Sequence, residues 1–197
     1  FIQPLSRQTL SIFQQIAYFP KLSSILISDG PTWQMTHDWN ETTSQKNGTI
    51  KRLTAFRPVS EAVYQGPLFH IGNPRYKTAR VKSRTHKDYD VVDLSRIDIN
   101  YQPRTNYGRA VSVQEYRLRM TKSLWSNTKK HGDHYRLAFR NMMQPTVERS
   151  LIGAIIEPGV LHVDAVESVA FKDFQDLLNV AALTSSVVLD YVVRSSS

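Results

Sequence analysis

Two runs near the C-terminal end, residues 134–142 (HYRLAFRNM) and 151–156 (LIGAII), constrain the fold most tightly. The first alternates. Tyr135, Leu137 and Phe139 fall on one side and Arg136, Ala138 and Arg140 on the other, the pattern of a half-buried strand with two arginines on its open face. The second is apolar and too short for a helix, so it reads as a buried strand. Glu157-Pro158-Gly159 turns the chain, and residues 160–163 run on as another strand. From about residue 171 to 193 the spacing becomes helical. Phe174, Leu177, Leu178, Ala181 and Leu183 supply the apolar stripe, and Ser185-Ser186 is placed to break it in two. Residues 5–19 also read as a helix, with Leu5, Ile12, Phe13, Ile16 and Phe19 near one face and Pro20 stopping the run.

The intervening text is less regular. Asp29-Gly30-Pro31 signals a turn, and residues 32–60 hold short strand-like pieces around a polar loop at 44–49. Residues 62–107 are punctuated by Gly66-Pro67, Gly72-Asn73-Pro74 and Gln102-Pro103, with β-prone pieces at 67–71 and 89–94. The expectation is an α+β fold: a mixed or antiparallel central sheet with long loops and helices at both ends. Residues 1–197 read as a single domain, with a basic middle over about 65–140 and a strand–helix part over 141–197.

Cysteine is absent, which excludes disulfides, thiol catalysis and Cys-ligated zinc. No apolar run approaches the ~18–20 residues needed to span a bilayer. The start at Phe1 has neither a basic segment nor an apolar core of signal-peptide type, so the chain reads as cytoplasmic and as excised from a larger protein. The net charge of +8 is unevenly spread. Residues 1–70, 71–140 and 141–197 carry balances of +2, +10 and −4. A basic middle beside an acidic end suggests a face made for a polyanion, the alternative being a solvated lysine- and arginine-rich surface.

Enzyme motifs are missing. No Asp-x-Lys or Glu-x-Lys of a metal-dependent nuclease occurs, and neither a phosphate loop nor a Gly-x-Ser-x-Gly elbow is present. His131-Gly132-Asp133-His134 sets two histidines near an acid, but in a Lys/Gly-rich loop without a third ligand, so no metal is expected. Gly72-Asn73-Pro74-Arg75-Tyr76 imitates the Asn-Pro-Pro-Tyr motif of adenine methyltransferases, with arginine replacing the second proline. No glycine-rich turn for S-adenosylmethionine precedes it, and an ordinary β-turn is the expected structure.

What remains are basic and aromatic residues in loops. Over residues 73–84, Arg75, Lys77, Arg80, Lys82 and Arg84 recur at almost every second position, either a ribbon that contacts phosphates or a charged edge strand. In the segment 101–107, Gln102 and Asn106 have side chains that pair with adenine and Arg104 one that pairs with guanine. Tyr101 and Tyr107 flank them, and an ordinary proline-anchored loop is the alternative. Arg136, Arg140 and Arg149, the last following a Gln144-Pro145 turn, are further candidates for phosphate or structural contacts.

Ordered blocks of this chain resemble a family. They are Trp39-Asn40-Glu41-Thr42 with residues 45–52 (QKNGTIKR), Gln65-Gly66-Pro67-Leu68-Phe69 with residues 72–77, and residues 89–94 leading to Pro103-Arg104-Thr105-Asn106-Tyr107. The most specific is Tyr135-Arg136-Leu137-Ala138-Phe139-Arg140, followed by residues 148–160 (ERSLIGAIIEPGV). Leu177-Leu178, Ala181-Ala182-Leu183 and Asp190-Tyr191 close the series. Over roughly residues 30–195 this is similar to the C-terminal target recognition domain of type IIG-like restriction–modification and phage-defence DNA adenine methyltransferases of bacteria. Ser150 stands where threonine is more usual. The resemblance implies a double-stranded DNA-binding module that clamps the duplex against a separate methyltransferase domain and lacks catalysis of its own. That domain would hold S-adenosylmethionine, leaving this chain without a cofactor. The DNA face expected from these residues is Arg75, Lys77, Arg80, Lys82, Arg84, Arg104, Asn106 and Tyr107, with Arg136, Arg140 and Arg149 beside it. Two alternatives stay open: a protein-docking domain of such an enzyme, and an unrelated enzyme built on the His131/His134 loop.

Overall fold

The computed structural model describes residues 6–21, 24, 30–85, 87–142 and 148–195, and the fold is α+β. Leu5, Asp29 of the first predicted turn, His86 and the Gln144-Pro145 turn lie outside the described residues. In chain order the strands are β1 (Trp33–Thr36), β2 (Ile50–Arg52), β3 (Ala62–Tyr64), β4 (Lys77–Ala79) and β5 (Tyr89–Val91). They continue as β6 (Tyr107–Arg109), β7 (Arg136–Arg140), β8 (Gly153–Ile156), β9 (Leu161–His162) and β10 (Val166–Phe171). The helices are α1 (Arg7–Tyr18), α2 (Glu41–Lys46), α3 (Val113–Arg119), α4 (Phe174–Ser185) and α5 (Val187–Ser195).

Two four-stranded sheets carry the core. The first, ordered β1–β10–β7–β8, is antiparallel throughout. The second, ordered β2–β6–β3–β9, is antiparallel except for the β3–β9 pair. Strands β4 and β5 form a separate hairpin. Alternation in β7 works as its sequence implies, but both faces are covered. Leu137, with Phe171 of β10, packs under Leu177 and Val180 of α4. Ala138 faces the other way, into a core shared with Tyr64, Leu68 and Phe69.

The expectation of an open arginine face on β7 is therefore corrected at its first position. Arg136 is fully buried. Its Nη1 donates to both carboxylate oxygens of Asp38, at 3.0 and 2.8 Å, and to Ser168 Oγ at 3.1 Å. Its Nη2 donates to the Val160 carbonyl. Ser168 lies 2.7 Å from His162 Nε2, and His162 Nδ1 faces its neighbouring Val163 carbonyl at 3.2 Å. That network assigns a neutral imidazole with the proton on Nδ1 and Nε2 accepting from Ser168. Burial alone would raise the Asp38 carboxyl, but Arg136, His162 and His131 together outweigh it and hold the group well below the usual range.

Other elements differ from expectation for local reasons. The predicted polar loop after Asn40 begins as helix α2, because Asn40 Oδ1 accepts from Thr43 N at 2.8 Å and caps it. The β-prone piece at 67–71 opens as a 3₁₀ turn, Gly66–Leu68, with Pro67 inside it. The basic ribbon ends early: β4 stops at Ala79, and Lys82 sits at a φ of 61°, turning the chain where an extended strand was expected. Gly159 has a φ of 87° in the predicted Pro158-Gly159 turn, a conformation that favours glycine. The break at Ser186 separates α4 from α5 as its two serines suggested. Among the described residues no single helix is long and apolar enough to cross a membrane.

Arg149 belongs to this framework. Its Nη2 donates to the carbonyls of Ser185 (2.8 Å) and Ser186 (3.1 Å) at the end of α4, and its Nε lies 3.4 Å from Asp190. A cation there meets the negative end of the helix dipole. Arg149→Ala is expected to lower stability by about 1 kcal/mol, which thermal unfolding checks.

Candidate nucleic-acid interface

The predicted DNA-facing residues divide into those tied into the fold and those left to face solvent. Arg75 is tied: it ion-pairs with Glu157 and donates to the Tyr101 carbonyl at 3.2 Å. Arg104 lies against the hairpin, its backbone N donating to Thr78 Oγ1, with a buried Nε that has no partner. Arg80 is exposed but forked onto Asp90 at 2.7 and 2.9 Å. Lys77 projects from β4 with its ammonium 5.5 Å from the Tyr76 ring. Lys82 and Arg84 are exposed in the turn beyond β4, where Arg84's backbone N is held by Asp88.

Asn106, expected to pair with adenine in a groove, and Tyr107, expected beside it at the DNA face, are both buried. Asn106 Nδ2 donates to Ser83 Oγ (3.0 Å) and Tyr89 Oη (2.8 Å), and Tyr89 Oη donates to Gln65 Oε1 (2.6 Å). Tyr107 Oη donates to Glu41 Oε1 at 2.5 Å and accepts from Arg52 Nη2 at 2.8 Å. Burial raises both tyrosine hydroxyls above their ordinary range, so they remain protonated donors. Tyr107 braces the wall of a site from behind, and Asn106 lines it.

That site is a cavity of about 300 Å³ between the second sheet, the β4–β5 hairpin and the end of β7. Three arginines converge on it: Arg52 from the end of β2, Arg84 from the hairpin turn and Arg140 from the last position of β7. Arg52 is fixed by Ser83 O at 3.0 Å and by the Tyr107 ring, 5.2 Å below its guanidinium. The Arg140 guanidinium has no hydrogen bond or ion pair with any described residue, although the residue is half-buried. Burial lowers its affinity for a proton, the direction for a cation without an anion beside it. Glu41 is the one carboxylate in the lining, and it is engaged by Tyr107.

The structure thus brings together Arg84, Asn106 and Arg140 from the expected set, with Tyr107 behind them. It leaves Lys77, Arg80 and Lys82 on the neighbouring hairpin and removes Arg75, Arg136 and Arg149 to structural roles. Arg52 was missed. Its signal is the alternation of the Ile50-Lys51-Arg52 strand, which puts Arg52 at the strand end nearest the loops.

The two alternative chemistries also have locations. Gly72-Asn73-Pro74-Arg75 is a turn in which Asn73 Oδ1 accepts from Arg75 N at 2.8 Å, so the amide oxygen serves its own loop. His131 is buried with Nε2 on the Gln34 carbonyl at 3.0 Å, while His134 Nε2 bonds Ser123 Oγ at 3.2 Å. The two imidazoles face different partners. No protein-family model, curated protein or solved structure matches the chain.

Proposed function

We propose that this chain is a sequence-specific double-stranded DNA recognition module of a DNA adenine methyltransferase or restriction–modification enzyme. In this reading it has no catalysis of its own and holds the duplex against the methyltransferase domain of the same parent protein. S-adenosylmethionine and the methyl transfer belong to that domain. The ordered sequence blocks support the enzyme class. The observation that carries the polyanion part is Arg140, a half-buried guanidinium without a partner among the described residues, opening with Arg52 and Arg84 into one cavity. A buried unpaired cation is costly to a fold, and a phosphate arriving there offsets that cost.

The test is Arg140→Met. Methionine keeps the apolar stem and removes the charge. Duplex affinity is expected to fall roughly tenfold, or about 1.4 kcal/mol, while thermal stability stays level or rises. Arg84→Met is expected to weaken binding less, because Arg84 is exposed and its phosphate contact is screened. An Arg140→Met protein that binds duplex as well as the parent would remove the cavity from the DNA face.

A further inference from the structure

The cavity holds more than a phosphate requires. Its lining includes three cations, Arg52, Arg84 and Arg140, and three apolar residues, Pro67, Ala165 and Met142. It also includes two amides, Gln65 and Asn106. Gln65 Oε1 accepts from Tyr89, but its Nε2 has no partner among the described residues. Asn106 has both Nδ2 hydrogens engaged, and its Oδ1 has no hydrogen bond to a described residue. A donor and an acceptor are therefore on offer in one wall, held by a common partner, the Tyr89 hydroxyl.

The backbone leaves room as well. Gly66 is buried where the cavity narrows, and a Cβ there would stand 3.9 Å from Arg140 Nε and 3.5 Å from the Ala165 carbonyl. A longer side chain would grow into the cavity. The volume of about 300 Å³ lies at the lower end of small-molecule pockets, roughly 300–1,000 Å³. Cations, apolar side chains and amides offering both polarities match the three parts of one nucleotide: phosphate, ring face and base edge. A site for inorganic anions alone would need neither the apolar side nor the amides.

We propose that this cavity receives a single unstacked nucleotide of a DNA strand, with its phosphate on Arg52, Arg84 and Arg140 and its base edge on Gln65 and Asn106. The proposal rests on the DNA-binding reading. A nucleotide already out of the stack costs less to seat than one that must first be unpaired. The protein therefore prefers a duplex carrying one bulged nucleotide over the matched duplex.

The experiment measures affinity for a fluorescent 20-base-pair duplex and for the same duplex with a one-nucleotide bulge, using each of the four bases in turn. The intact chain is expected to bind at least one bulged duplex about tenfold more tightly, the unstacking cost of a few kcal/mol being partly relieved. Gly66→Leu, which fills the cavity, and Gln65→Met, which removes the free amide donor without enlarging the side chain, are each expected to bring the ratio to about one. Equal binding of bulged and matched duplexes by the unaltered protein overturns the nucleotide pocket while leaving DNA binding intact. Salt-independent binding, or none, overturns both. Binding of free deoxynucleoside monophosphates without any bulge preference overturns the DNA strand as the source. Preference retained in both variants places the unstacked nucleotide elsewhere and overturns the assignment.

Discussion

Arg136→Ala is expected to lower stability by about 3–5 kcal/mol, the loss when one partner of a buried ion pair is removed. The residue is fully enclosed, and its partner Asp38 has a side chain only 6 % exposed. Removing the guanidinium leaves the carboxylate facing the His162 backbone N and two imidazoles, without a positive charge. The cost comes from that stranded carboxylate more than from the lost contacts. Replacing the pair together, Arg136→Met with Asp38→Asn, is expected to recover most of the loss, because the amide still accepts from His162 N and no charge is buried. Denaturant unfolding of the single and double variants measures both. A loss below about 1 kcal/mol for the single change would show that water reaches the cluster.

The same cluster predicts how stability depends on pH. Burial is the main cause that lowers the His162 imidazole, from an ordinary 6.5 to about 4. The folded state therefore declines a proton that the unfolded chain accepts below its ordinary value. Unfolding takes up that proton, so stability falls as pH drops from about 6.5 toward 4. The loss amounts to roughly 3 kcal/mol at 1.36 kcal/mol per pH unit. His134, also lowered by burial, adds in the same direction. Asp38 contributes a second phase. Its carboxyl is held below the usual range, so its stabilisation is present above the ordinary value of 3.8 and is lost only as pH falls further. His162→Gln keeps an acceptor for Ser168 and cannot titrate. It is expected to flatten the curve between pH 6.5 and 4 and leave the more acidic phase. An unchanged slope in that variant would locate the titration elsewhere.

Much of the fold was legible in local pattern. The alternation in β7, the apolar run of β8, the Pro158-Gly159 turn and the double serine between α4 and α5 carry their structure in single short windows. Strand β10 was equally legible in principle, since Val166, Ser168 and Ala170 alternate with Glu167, Val169 and Phe171. Its serine and glutamate dilute the apolar count, however, and it pairs with strands distant in sequence. Helix α3 buries only Tyr116 and so has no apolar stripe to detect. The candidate site was legible as charge but not as geometry. Strand period places Arg136 and Arg140 on one face. It cannot say that the second sheet covers the first arginine and stops short of the second. Asn106 and Tyr107 were singled out for their chemistry, but burial turns that chemistry inward to brace Gln65 and Arg52. Asp38 carries no local signal, because it meets Arg136 and His162 only across 98 and 124 residues.

The central claim is the proposal that this chain binds duplex DNA through phosphate contact centred on Arg52, Arg84 and Arg140. The most direct measurement is affinity for a mixed-sequence duplex across a salt series from 50 to 300 mM. Each neutralised phosphate adds about −0.9 to the slope of log K against log salt. A phosphate held by the three arginines therefore predicts a slope of about −1 or steeper, made shallower in Arg140→Met. A slope near zero, or no binding at the lowest salt, would contradict the account.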